Sequence, residues 1–132
     1  MESKICLDTD VVVNFLRGNK QEAEFIRSKE ESADLAITYI TLFELYYGAY
    51  KSSKKKDNVE AISNFLNRIK ILNFTEESTR KAGELLAKLE KEGNIIEFRD
   101  LLIGTIALVD NYSMKTGNIK HFSKIDGLKI LT

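Results

Sequence analysis

Short continuous apolar runs alternate with segments of helical period along the whole chain, and this alternation most limits what the chain can fold into. Residues 4–7 (KICL), 35–38 (LAIT) and 70–75 (KILNFT) read as strands, with a short fourth strand within 112–118 and a fifth at 128–131. Runs without polar alternation mark strands covered on both faces, as parallel strands are. Between them, residues 11–16 start a helix that Gly18 and Asn19 end, and 21–29 is a short polar helix with Ala23 and Ile26 inward. Residues 41–51 have helical spacing, the KSSKKKDN run at 51–58 reads as a loop or frayed end, and 59–69 repeats Ile62, Phe65, Leu66 and Ile69 at the 3.6-residue period. Thr75 and Ser78 offer caps for a helix over 76–92, with an inward stripe of Ala82, Leu85, Leu86 and Leu89, closed by Gly93. Residues 99–111 (RDLLIGTIALVDN) are helical and apolar almost all round, which places them centrally. The pattern predicts an α/β fold of three layers, α/β/α, with a mostly parallel five-stranded sheet and right-handed crossovers. In such sheets chemistry collects beyond the carboxyl ends of the strands.

The chain has 132 residues, no proline, and no linker or repeat, so one domain over 1–132 is expected. Its formal net charge is zero, which argues against a passive nucleic-acid coat with its basic excess. An enzyme that meets nucleic acid through a local patch and a metal remains compatible with that balance. The one cysteine, Cys6, lies in an apolar strand and reads as a core thiol. With no disulfide possible within the chain, a reducing, cytoplasmic setting is expected. No stretch reads as a signal peptide or a membrane span.

Two carboxylates interrupt the first apolar run, ICLDTDVVVNFL at residues 5–16. Asp8 directly follows strand one, Glu44 lies six residues past Thr38, Asp100 begins the central helix, and Asn118 follows strand four. These strand ends and helix starts place oxygen donors above one sheet edge. Hard oxygens without Cys or several His suit Mg²⁺ or Mn²⁺, not Zn²⁺. Two carboxylates about 5 Å apart repel by roughly 3 kcal/mol at an effective dielectric near 20. A divalent cation turns that repulsion into attraction and can activate a water for attack on phosphate. Acids at helix starts are also ordinary caps, so spacing leaves both readings open.

CLDTDVVVNFL, TYITLFELYYG, FRDLLIGTIAL and TGNIKHFSKIDGLKIL, in that order over nearly the whole chain, resemble the four signature blocks of PIN-domain ribonucleases. The nearest likeness is to the VapC-type toxins of prokaryotic type II toxin–antitoxin systems. The resemblance implies a PIN-like domain and an Mg²⁺-dependent endoribonuclease that hydrolyses RNA phosphodiester bonds with metal-activated water. It implies that Asp8, Glu44 and Asp100 are the metal-site acids and that Asn118 completes the catalytic set. Many members carry Asp at that last position; a neutral amide supports one well-held ion and leaves a second open. Thr9 and Asp10 fall on polar positions beside the first Asp, and Asp10 is expected to cap the turn into helix one. The partners implied are RNA, a VapB-like antitoxin whose tail fills the acidic groove, and a second copy of the chain.

Further residues carry two readings each. Gly48 and Gly104, one turn beyond Glu44 and Asp100, either clear room for substrate backbone or allow close packing. Arg99 and Lys120 flank site residues and are candidates for phosphate contact, while His121 either meets a phosphate or anchors packing. Lys51, Lys54, Lys55 and Lys56 either follow an RNA backbone or form a solvated helix end. Phe43, Tyr46, Tyr47 and Tyr50 either stack on bases or pack in the core and at an interface. Two other functions are weighed: a catalytically degenerate PIN domain that binds RNA or protein, and a haloacid dehalogenase-like phosphatase, whose first motif LDTDVV resembles.

Overall fold

In the computed structural model, which describes residues 3–131, β1 (Ser3–Leu7) lies between β2 (Ala33–Thr38) and β4 (Ser113–Lys115), and β3 (Lys70–Leu72) flanks β2. All pairings are parallel; Ile5 faces Leu35 on one side and Ser113 on the other. The helices are α1 (Thr9–Leu16), α2 (Lys20–Lys29), α3 (Tyr39–Lys51), α4 (Lys55–Leu66), α5 (Glu76–Lys91), α6 (Phe98–Val109) and α7 (Ile119–Phe122). They cover both faces of the sheet. Alternation along β1 decides which face each side chain serves. Ile5 and Leu7 join Val11, Val12, Leu42, Leu45, Ile62 and Phe65 under α1, α3 and α4. Cys6 joins Leu85, Leu89, Leu101, Ile103 and Ile106 under α5 and α6. The Cys6 thiol is fully buried, and burial pushes its pKa up, consistent with a core thiol.

The sheet has four strands among the described residues, not the five expected. Residues 128–131 contribute a single parallel bridge, Met114 with Ile130. The Met114 amide donates to Lys129 O and the Leu131 amide to Met114 O, both at 2.8 Å. Leu128 N is still committed to the turn at Ile125 O, and Gly127 turns the chain with φ +88°. Too few residues are left to build a ladder.

Strand three stops at Leu72 rather than 75, because Thr75 is spent on a reciprocal capping box with Ser78 at the start of α5. Helix α4 begins inside the lysine run, at Lys55. Gly104 serves close packing: a Cβ there would overlap Ile125 Cδ1 and stand 3.1 Å from Phe122 Cδ1. Gly48 meets nothing within 4 Å. No helix among the described residues is long and apolar enough to cross a membrane.

Candidate active site

Asp8 occupies the step where β1 becomes α1. Its backbone amide continues the sheet by donating to Lys115 O at 2.9 Å. Its extended backbone makes it the N-cap of α1, and its Oδ1 accepts from Thr9 N at 2.8 Å. The cap is therefore Asp8, not Asp10 as expected; Asp10 sits exposed in the first turn. Helix one consequently starts at Thr9, two residues earlier than its apolar pattern indicates. The other carboxylate oxygen of Asp8 accepts from Thr116 Oγ1 at 2.7 Å. Only 4% of Asp8 is exposed, and no cationic side chain pairs with it among the described residues. Burial pushes its carboxyl up to about 6, with Asp100 and Asp10 adding to the rise; the Thr116 hydroxyl and the Thr9 amide oppose it.

Glu44 lies in the second turn of α3, which Thr38 caps by accepting from Thr41 N at 3.1 Å. The Thr9 hydroxyl donates to Glu44 Oε1 at 2.8 Å and lies 3.0 Å from Thr41 Oγ1. Glu44 Oε2 pairs with Arg99 Nη1 at 3.3 Å, and Arg99 Nη2 donates to Glu97 Oε1 at 2.9 Å. Asp100 stands in the first turn of α6, where the helix terminus favours an anion. Asn118 Nδ2 is 3.3 Å and His121 Nδ1 3.0 Å from Asp100 Oδ2. His121 Nδ1 is also 2.9 Å from Asn118 Nδ2. That nitrogen serves one neighbour at a time: unprotonated it accepts from Asn118, and protonated it donates to Asp100.

A cleft of about 210 Å³ is lined by Asp8, Thr9, Asp10, Glu44, Glu97, Arg99, Asp100 and Asn118. The fold thus gathers Asp8, Glu44, Asp100 and Asn118, with Thr9 and Arg99, at the carboxyl edge of the sheet. His121 reaches the group through Asp100 without lining the cleft, and Lys120, exposed on α7, is not among the lining residues. Glu97 and Thr116 are participants that sequence reading passed over. Thr116 had a signal, since it directly follows β4, just before Asn118.

The donor set suits a hard cation. Among the described residues no three His, Cys, Asp or Glu side chains converge into a cage of their own, and Glu44 is engaged by Thr9 and Arg99. Mg²⁺ does not require such a cage: it typically takes one or two carboxylates and keeps several waters. Asp8 and Asp100, two carboxylates in one cleft, meet that habit. The phosphatase reading needs an acidic pair at the end of a late strand, and β4 is followed by Thr116 and Asn118 instead.

Comparison with known proteins identifies the family of the fold. The profile of the PIN domain family matches residues 5–128. Ribonuclease VapC2 of Rickettsia felis is 38% identical over 125 residues, covering 92% of each chain. The tRNA(fMet)-specific endonuclease VapC of Salmonella typhimurium is 29% identical over 127 residues, covering 96% of each. Among solved structures, VapBC2 from Rickettsia felis bound to a DNA fragment from its promoter superimposes with a TM-score of 0.90 at 34% identity, covering 96% of both chains. The three-layer parallel α/β architecture is that of these relatives, and the chain belongs to the PIN domain family, among its VapC ribonucleases.

Proposed function

We propose that the protein is a divalent-cation-dependent endoribonuclease that serves as the toxin of a toxin–antitoxin pair. One observation carries the reading: Asp8 is a buried carboxylate without a cationic partner among the described residues, and it shares its cleft with Asp100. Such a charge costs several kcal/mol in a low dielectric unless something positive arrives. Asp8 and Asp100 would hold Mg²⁺ or Mn²⁺. When bound, the ion supplies positive charge to the phosphate oxygens and lowers the pKa of the attacking water. Glu44, held by Thr9, orients that water, and Asn118 completes the site with a neutral oxygen. Arg99 and Lys120 contact flanking phosphates, and His121 keeps Asp100 in place. RNA as substrate class is supported by the names of the relatives, two of which are a ribonuclease and a tRNA endonuclease.

A VapB-like antitoxin as partner is supported by the solved VapBC complexes. An apolar groove lined by Val13, Leu16, Leu45, Ala49 and Ile62 meets the acidic cleft at Glu44, which borders both. A segment lying in that groove and ending in a basic side chain would close the site. Exposed Phe43, Tyr47 and Tyr50 on α3, with Phe43 and Tyr47 stacked at 6.4 Å, are the surface for a second copy. An enzyme that cuts cellular RNA acts in the cytoplasm.

Incubation of the purified, antitoxin-free protein with RNA tests the reading. Cleavage with Mg²⁺ or Mn²⁺ is expected, abolished by a chelator and by Asp100→Asn with the fold retained. RNA that is bound yet uncut under both metals would make the protein a binding module.

A further inference from the structure

Thr116 directly follows β4, and the pairing of Leu7 with Lys115 sets it beside Asp8 one step beyond the last strand pair. Its side chain is buried, with the residue 5% exposed. Both hydrogen-bonding roles of its hydroxyl are used inward: Oγ1 donates to Asp8 Oδ2 at 2.7 Å and accepts from Asn118 N at 2.9 Å. We infer that Thr116 is a positioning residue, whose hydroxyl fixes the rotation of the Asp8 carboxylate and ties Asn118 to it, so that both present their oxygens to one cation. This rests on the metal-dependent reading above.

The chemistry of the partner matters. A lysine or arginine at this place would neutralise Asp8 and compete with any cation. A hydroxyl satisfies one oxygen and leaves the negative charge uncompensated. Branching at Cβ stiffens χ1, which holds Oγ1 in place beside the Asp8 carboxylate. The Thr9 amide holds the opposite oxygen, and the carboxylate is clamped from both ends. Groups that orient ligands in this way are part of a metal site even though they never touch the ion. Thr105, in the middle of α6, provides the contrast. It is equally buried, yet its Oγ1 has no hydrogen-bond partner, so it shows what a threonine does here by packing alone.

The experiment is a calorimetric Mn²⁺ titration of the full chain as wild type, Thr116→Val, Thr116→Ser and Thr105→Val, with folding followed by circular dichroism. Thr116→Val keeps the shape and removes the hydroxyl, and its Mn²⁺ affinity is expected to fall by about tenfold or more. Thr116→Ser restores most of that loss, and Thr105→Val binds as wild type. Wild-type affinity in folded Thr116→Val overturns the inference while leaving the metal site standing. No Mn²⁺ binding by wild type overturns both. Should the valine variant not fold, Thr116→Cys compared with Thr116→Ser carries the same test, because the thiol is a weak donor of similar size.

Discussion

The Thr9 hydroxyl donates to Glu44 Oε1 at 2.8 Å across 35 residues of sequence, joining the first turn of α1 to the second turn of α3. The same residue caps nothing itself, but its amide holds Asp8, so a single threonine touches two of the three site acids. Thr9→Val removes a hydrogen bond to a charged group and is expected to cost about 1–3 kcal/mol. Urea unfolding measures that loss. RNA cleavage should fall as well, because Glu44 is then held by Arg99 alone; unchanged activity would remove Glu44 orientation from the account.

Stability of the metal-free protein should depend on pH through Asp8. Its folded pKa is raised from the ordinary 3.8 to about 6, so the fold favours the protonated form. The stabilising contribution is therefore whole below about pH 4 and is lost as pH rises through 6. Above that window the metal-free fold carries a burden of ~3 kcal/mol. Asp8→Asn removes the charge, so with a chelator present it should be more stable than wild type at pH 8, with the gap closing toward pH 4.5. Unfolding curves at the two pH values decide the matter; a gap of equal size at both would contradict it.

The two glycines that follow site acids should behave oppositely. Gly104→Ala forces a methyl against Ile125 Cδ1 and Phe122 in a filled interior, at a cost of about 1–3 kcal/mol. Gly48→Ala meets open space on α3 and should stabilise by up to about 1 kcal/mol through helix propensity. Thermal melts of the pair check this: a lower melting temperature for Gly104→Ala and an equal or higher one for Gly48→Ala are expected, and a loss at Gly48→Ala would contradict the open space there.

Arg99 bridges Glu44 and Glu97 from a half-exposed position. Exposed pairs contribute roughly 0–1 kcal/mol, so Arg99→Gln should melt close to wild type. As a phosphate contact it should weaken RNA binding and reduce the slope of log affinity against log salt by about one. An unaltered slope would remove Arg99 from the RNA path.

Much of this site was legible because the chemistry follows strand ends. Asp8 interrupts an apolar run, Asp100 starts the most apolar helix, and Asn118 follows the last strand; each position is set by local pattern alone. What spacing could not supply is the partner of a side chain across the fold. Thr116 reaches Asp8 over 108 residues, and only the parallel pairing of β1 with β4 brings them together. The choice between Asp8 and Asp10 as helix cap depended on one residue's backbone angles, which composition does not encode. The missing fifth strand has a similar cause: LKIL is apolar enough for a strand, but the turn at Gly127 delivers it too late to extend beyond one bridge.

Equilibrium binding of Mn²⁺ to the antitoxin-free protein, measured by calorimetry for wild type and for Asp8→Asn, Asp100→Asn and Asp10→Asn, tests most directly whether the gathered acids hold a cation. Saturable binding by wild type and Asp10→Asn, with loss in Asp8→Asn and Asp100→Asn, is the predicted result. Absence of binding in wild type, or undiminished binding in Asp8→Asn, would contradict the account.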